Sequence, residues 1–161
     1  MRRITDPRLP QAGQLFAGPI PSWPYEESTQ VIKEAGVSAV ACLLEDGQLP
    51  RELLGAYRAV GLAVLRFPIP DFGVPEDPQA FAAFLSKLLG CLVRGERVYV
   101  HCYGGLGRTG TVLACLLKAV GEADPVAVTR RIYHPSALES EEQRHFVSVF
   151  IPGALGEGKR G

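Results

Sequence analysis

Apolar positions along this chain fall into short blocks whose spacing switches between strand and helix periods. Gln14–Ile20 reads as a first strand, closed by Pro19 and Pro21. Glu26–Ala35 has helical spacing, and Gly36 supplies a stop. Val37–Leu44 is almost continuously apolar, as expected of a strand buried on both faces. Arg51–Val60 puts Leu53, Leu54, Tyr57 and Val60 on one helical face before Gly61 ends it. Leu62–Phe67 is the next strand. Asp77-Pro78 then gives a cap followed by proline at the first helical position, and Phe81, Phe84, Leu85, Leu88 and Leu92 carry that helix to Val93. Arg97–His101 is a short strand suited to the centre of a sheet. Thr109–Val120 is an apolar helix, Asp124-Pro125 opens another, and Ser140-Glu141-Glu142-Gln143 has the capping-box pattern of a last helix running to about Ile151.

Strands alternating with helices predict an α/β fold with a mostly parallel central sheet flanked by helices on both faces. One domain over 1–161 is expected, with its core at about 14–151 and 152–161 as a flexible tail. Composition adds exclusions. Seventeen basic residues balance seventeen acidic ones, so no global field favours nucleic acid or an anionic membrane. No apolar run is long enough to span a bilayer or to act as a signal peptide. Cys42, Cys91, Cys102 and Cys115 lack CxxC spacing, which argues against a zinc site or a disulfide framework. The expected setting is cytoplasmic and reducing, which keeps thiols available. Cys42, Cys91 and Cys115 lie in apolar strand or helix contexts and read as core, with a protective disulfide between Cys42 and Cys102 as the minority idea. His134 and His145 read as surface or core residues.

Two segments break the periodicity. Pro68-Ile69-Pro70-Asp71-Phe72-Gly73-Val74-Pro75 holds too many prolines for regular structure and reads as a stiff loop presenting an acid. His101-Cys102-Tyr103-Gly104-Gly105-Leu106-Gly107-Arg108-Thr109 is a glycine-rich turn between a strand and a helix. Its backbone N–H groups can form a nest for an anion, backed by the helix dipole. Arg108 at the mouth of that helix can grip two phosphate oxygens. The same surroundings are expected to lower the Cys102 thiol pKa and make it a nucleophile.

The segment from His101-Cys102 through Arg108-Thr109 resembles the signature of the cysteine-dependent tyrosine and dual-specificity phosphatases. Pro-Ile-Pro-Asp and the chain's length are similar to the small atypical branch. Tyr103-Gly104-Gly105-Leu106-Gly107 also resembles the loop of the cyclin-dependent-kinase-associated phosphatases. The resemblance implies a protein phosphatase acting through a cysteinyl-phosphate, on phosphotyrosine and also on phosphoserine or phosphothreonine. It implies Cys102 as nucleophile, Tyr103 to Arg108 as the phosphate cradle and Asp71 as general acid and base. His101 would orient the loop, and Thr109 would place a hydroxyl near the sulfur. No cofactor or metal is expected. The expected partners are phosphorylated proteins or peptides, met by a monomer without nucleic acid or membrane.

Alternatives are weaker. A P-loop nucleotidase needs a Gly-Lys-Ser/Thr ending that Gly104–Thr111 lacks. A phosphate-reading module without turnover would not need Cys102, Arg108 and a loop acid together. The uncharged residues 103–107 favour a singly phosphorylated side chain over a phosphoinositide or an RNA end. Gln143 resembles a glutamine in the last helix of related small phosphatases, but its place in the capping box explains it equally well. Arg130 and Arg131 could meet a second phosphate, with a solvated helix face as the expected alternative.

Overall fold

Five strands and six helices are arranged in a computed structural model that describes residues 1–152. In chain order they are β1 (Arg2–Ile4), β2 (Gln14–Gly18), α1 (Tyr25–Glu34), β3 (Ala39–Cys42), α2 (Arg51–Ala59), β4 (Ala63–Arg66), α3 (Pro78–Val93), β5 (Arg97–His101), α4 (Gly107–Ala119), α5 (Pro125–Ile132) and α6 (Glu141–Val149). A single 3-10 turn, Asp46–Gln48, precedes α2. The sheet order is β1-β2-β5-β3-β4, and only β1 runs antiparallel to its neighbour. The predicted α/β architecture with its mostly parallel sheet is therefore present.

Alternation along the central strands divides the core between two faces, because successive side chains on a strand point opposite ways. Val40 and Tyr99 pack with Ile32, Leu53 and Tyr57 under α1 and α2. Ala41, Val98 and Val100 face the larger cluster supplied by the other four helices. That cluster includes a run of phenylalanine contacts. Phe67 stacks on Phe84 with ring centroids 4.9 Å apart, and Phe81 meets both Phe146 and Phe150 edge-on. Such pairs add about 0.5–1.5 kcal/mol each beyond burial. They fix the start of the proline-rich loop against α3 and α6.

Three differences from the sequence reading are informative. β1 was not expected, because three residues with two arginines carry little strand signal; pairing with Leu15, Phe16 and Ala17 decides it. Ile4 and Leu9 are buried, so the core begins ahead of residue 14. The fourth helix begins at Gly107 rather than Thr109, inside the glycine-rich segment, and the last ends at Val149 rather than Ile151. The expected caps Asp77, Asp124 and Ser140 all accept hydrogen bonds from backbone N–H groups of the helices they begin. From residue 153 onward the expected tail lies outside the described residues. No helix among the described residues is long and apolar enough to cross a membrane.

Candidate active site

Parallel strands β2, β3 and β5 finish at one end of the sheet, where Gly18, Cys42 and His101 lie in register. Chain leaving β5 there must turn before α4, and this turn holds Cys102. The turn is tied from outside through its carbonyls. His101 Nδ1 donates to Cys102 O at 2.9 Å, Ile20 N–H to Tyr103 O at 2.9 Å, Tyr133 O–H to Gly105 O at 2.5 Å and Leu138 N–H to Leu106 O at 3.1 Å. In a trans peptide the N–H points opposite to the C=O. Tying four carbonyls outward therefore turns the following N–H groups inward, which is how a nest for an anion is built. Cys102, itself only 3% exposed, accepts Gly105 N–H at its Sγ at 3.2 Å.

One of the three glycines is required by backbone, and a second is crowded by side-chain ends. Gly105 has φ +84°, and a Cβ on it would lie 2.6 Å from the backbone of Gly18 and Pro19. At Gly107 a Cβ would lie 2.8 Å from Glu139 Oε1 and 2.9 Å from Gln143 Nε2. Gly104 is unconstrained, with nothing near its missing Cβ.

Arg108 is 2% exposed and turns its guanidinium toward the proline-rich loop. Nη1 donates to Ile69 O at 3.0 Å and to Gln48 Oε1 at 2.8 Å, while Nη2 pairs with Asp71 Oδ1 at 3.1 Å. Asp71 is half-exposed, and Gln48 Nε2 donates to its Oδ2 at 3.5 Å. The backbone around Asp71 is gripped from two sides. Asp71 N–H donates to Glu45 Oε1 at 3.0 Å, Ser140 Oγ donates to Phe72 O at 2.9 Å, and Gln143 Nε2 donates to Gly73 O at 3.2 Å. Between these grips Phe72 takes φ +60° and leaves its ring 60% exposed. That backbone region is uncommon for an aromatic residue.

His101 is fully buried. A carbonyl only accepts, so Nδ1 carries the proton and Nε2 accepts from Tyr57 O–H at 2.9 Å. Burial, with a smaller push from Arg108, lowers its pKa to about 4 despite the bond to Cys102 O, so the ring is neutral at pH 7. Tyr133 is raised to about 12, first by burial and then by Cys102. Thr109, on the first turn of α4, has a buried hydroxyl without a hydrogen-bond partner among the described residues.

The candidates thus gather at one place: Cys102, Arg108, Asp71, Thr109, His101 and the turn 103–107. Sequence reasoning missed Gln48, Glu45, Tyr57 and Tyr133, whose partners lie far away along the chain. Gln143 is fully buried and completes the capping box, and it also holds Gly73 O, a contact that its sequence position does not signal. Arg130 is half-buried and its guanidinium donates to Ala137 O and Leu138 O; Arg131 is exposed. Cys42, Cys91 and Cys115 are free and buried, and burial pushes the Cys42 thiol up. His134 and His145 are exposed. Among the described residues no group of three or more metal-ligating side chains is gathered.

The human protein named cyclin-dependent kinase inhibitor 3 is 32% identical over 133 residues, covering 78% of this chain and 62% of that protein. The chain accordingly spans less than two thirds of the length of these curated relatives. Among solved structures, Tk-PTP in the active form is 27% identical with a TM-score of 0.72, covering 89% of this chain and 96% of that one. Kinase associated phosphatase with its catalytic site cysteine replaced by serine superposes with a TM-score of 0.73 at 24% identity, over 83% of this chain and 82% of that one, and shares the fold. The family described as Swiss Army Knife protein, DSP-PTPase phosphatase domain, matches residues 20–158, and the chain belongs to it.

Proposed function

We propose that this chain hydrolyses phosphate monoesters on proteins through a cysteinyl-phosphate intermediate, with phosphotyrosine preferred over phosphoserine and phosphothreonine. The observation that carries the reading is the turn 102–106. Four outward-tied carbonyls turn the amides that follow them inward, and a further amide, Gly105 N–H, already donates to the Cys102 sulfur. A phosphoryl group seated there meets fixed donors that need no rearrangement as charge develops.

In the first step the Cys102 thiolate attacks phosphorus in line, and the bond to the leaving oxygen breaks. Asp71, in its carboxylic acid form, gives its proton to that oxygen. The incoming phosphate takes over the Arg108 guanidinium, and Asp71, freed from its ion pair, takes up from water the proton that it gives to the leaving oxygen. In the second step water attacks phosphorus, the Asp71 carboxylate takes a proton from it, and the S–P bond breaks. Thr109 donates to the departing thiolate; its buried hydroxyl, without another partner among the described residues, is suited to this. Neutral His101 is a positioning residue that holds the Cys102 carbonyl outward. Exposed rings at Phe72 and Tyr103, adjoining the acid and the nucleophile in sequence, suit an aryl ester.

The test compares wild type with Cys102→Ser on p-nitrophenyl phosphate. Turnover should fall by about 10⁴-fold or more, while calorimetry still detects inorganic phosphate binding. Comparable rates would remove the nucleophile assignment, and loss of phosphate binding would remove the cradle.

A further inference from the structure

We propose that the groove between α1 and α2 docks a basic, apolar stretch of the phosphorylated protein, an inference that rests on the phosphatase reading above. The groove encloses about 430 Å³, with Trp23, Tyr25 and Glu26 on one wall and Glu52, Gly55 and Ala59 on the other. Both walls are joined to the phosphate cradle. Trp23 lies on the loop whose Ile20 N–H holds Tyr103 O at 2.9 Å, and α2 begins just after Gln48, which holds Arg108 at 2.8 Å. Both helices start at the end of the sheet that carries Cys102, so a chain leaving the cradle can reach the groove.

The lining is built for an apolar anchor. Trp23 is 73% exposed and braced edge-on against Tyr25 at 5.3 Å. A fixed aromatic edge that stays in water is unfavourable alone and is the residue type that dominates protein interfaces. Opposite it stands an exposed glycine in a helix interior, a position that weakens the helix. A Cβ at Gly55 would meet nothing within 4 Å, so the backbone there is open to a ligand rather than crowded by its own fold. The charged side chains lining the groove, Glu26 and Glu52, are both carboxylates. In a chain of net charge zero this local acidic rim selects lysine or arginine beside the apolar anchor.

The experiment measures kcat/KM on three phosphotyrosyl peptides that differ only in their flanks: lysine–leucine, glutamate–leucine and serine–glycine. Wild type should prefer the lysine–leucine flank by roughly tenfold, expressed in KM. Gly55→Leu, which fills open space, and the Glu26→Gln/Glu52→Gln double variant should each erase that preference while p-nitrophenyl phosphate turnover stays unchanged. Trp23 is the chain's single tryptophan, so its fluorescence reports occupancy directly. The unphosphorylated lysine–leucine peptide should shift it saturably in wild type and not in Gly55→Leu. Equal use of the three peptides, preference for the acidic flank, or a wild-type dimer dispersed by Gly55→Leu in sedimentation would overturn the proposal. A protein inert toward p-nitrophenyl phosphate would sink the phosphatase reading instead. The fluorescence titration then decides the groove by itself, and a flat response overturns it.

Discussion

Residues 102–108 and residues 68–75 meet at Arg108, yet they are held by different means. The first segment is fixed through its backbone: buried or main-chain donors from four parts of the fold take its carbonyls. The second is anchored at its start by Ile69 N–H on Leu43 O, and around Asp71 it is held by side chains of Glu45, Ser140, Gln143 and Arg108 reaching a partly exposed loop. Backbone ties buried in the fold are costly to break, whereas bonds at a half-exposed loop exchange readily with water. The contrast suits the two tasks proposed above. A cradle for developing charge gains from rigidity, and an acid that must leave its ion pair gains from bonds that can be surrendered.

Gly105→Ala breaks the rigid side of this contrast and carries the largest expected effect on stability. The added Cβ would sit 2.6 Å from backbone atoms at φ +84°. It should destabilise by about 2–4 kcal/mol and lower kcat/KM by about 10²-fold. Gly104→Ala, next to it with open space, is the control and should behave as wild type. Equal effects at the two positions would mean that the outward-tied backbone is not what shapes the cradle. On the acid side, Asp71→Asn should slow hydrolysis of alkyl phosphates by roughly 10²–10³-fold and of p-nitrophenyl phosphate far less, since an activated leaving group needs little protonation. Uniform slowing across leaving groups would move the acid elsewhere.

The same contrast explains what the sequence makes legible. The cradle is written locally: strand, cysteine, three glycines, arginine and helix follow one another, so Cys102, Arg108 and their loop are found by reading along the chain. Asp71 is found from the prolines around it. The grips are written at long range. Glu45 meets Asp71 only because β3 and β4 are adjacent, and Ser140 meets Phe72 only because the phenylalanine cluster seats α6. Ser140 and Gln143 satisfy a local capping rule by themselves, which conceals their second role. Tyr57 reads as one more apolar position on α2 until the sheet brings His101 to its hydroxyl.

His101 links the rigid side to pH. Burial holds its pKa at about 4, below the ordinary 6.5 that it regains on unfolding. Between those values the unfolded chain binds the proton and the folded one does not. The stability is therefore full above about pH 6.5 and declines as pH falls through 4. The loss amounts to about 3 kcal/mol, read as urea midpoints at pH 7 and pH 4. Replacing the ring by His101→Asn should flatten that dependence relative to wild type. An unchanged slope would show that another group governs acid sensitivity.

The smallest expected effect separates the two roles of Ser140. Its Oγ accepts Gln143 N–H as the cap of α6 and donates to Phe72 O as a grip on the acid loop. Ser140→Ala removes both and should cost about 1 kcal/mol, the usual value of a cap. Ser140→Asp keeps an acceptor for the N–H group and suits the helix dipole, but a carboxylate cannot donate to a carbonyl. It should therefore retain wild-type stability while loosening residues 72–73, seen as faster amide exchange at Phe72 and Gly73. A few-fold lower kcat on alkyl phosphates should accompany it. If Ser140→Asp matches wild type in both exchange and kcat, the Ser140 grip contributes nothing to the acid loop. The hold on the acid loop would then rest on Glu45, Gln143 and Arg108.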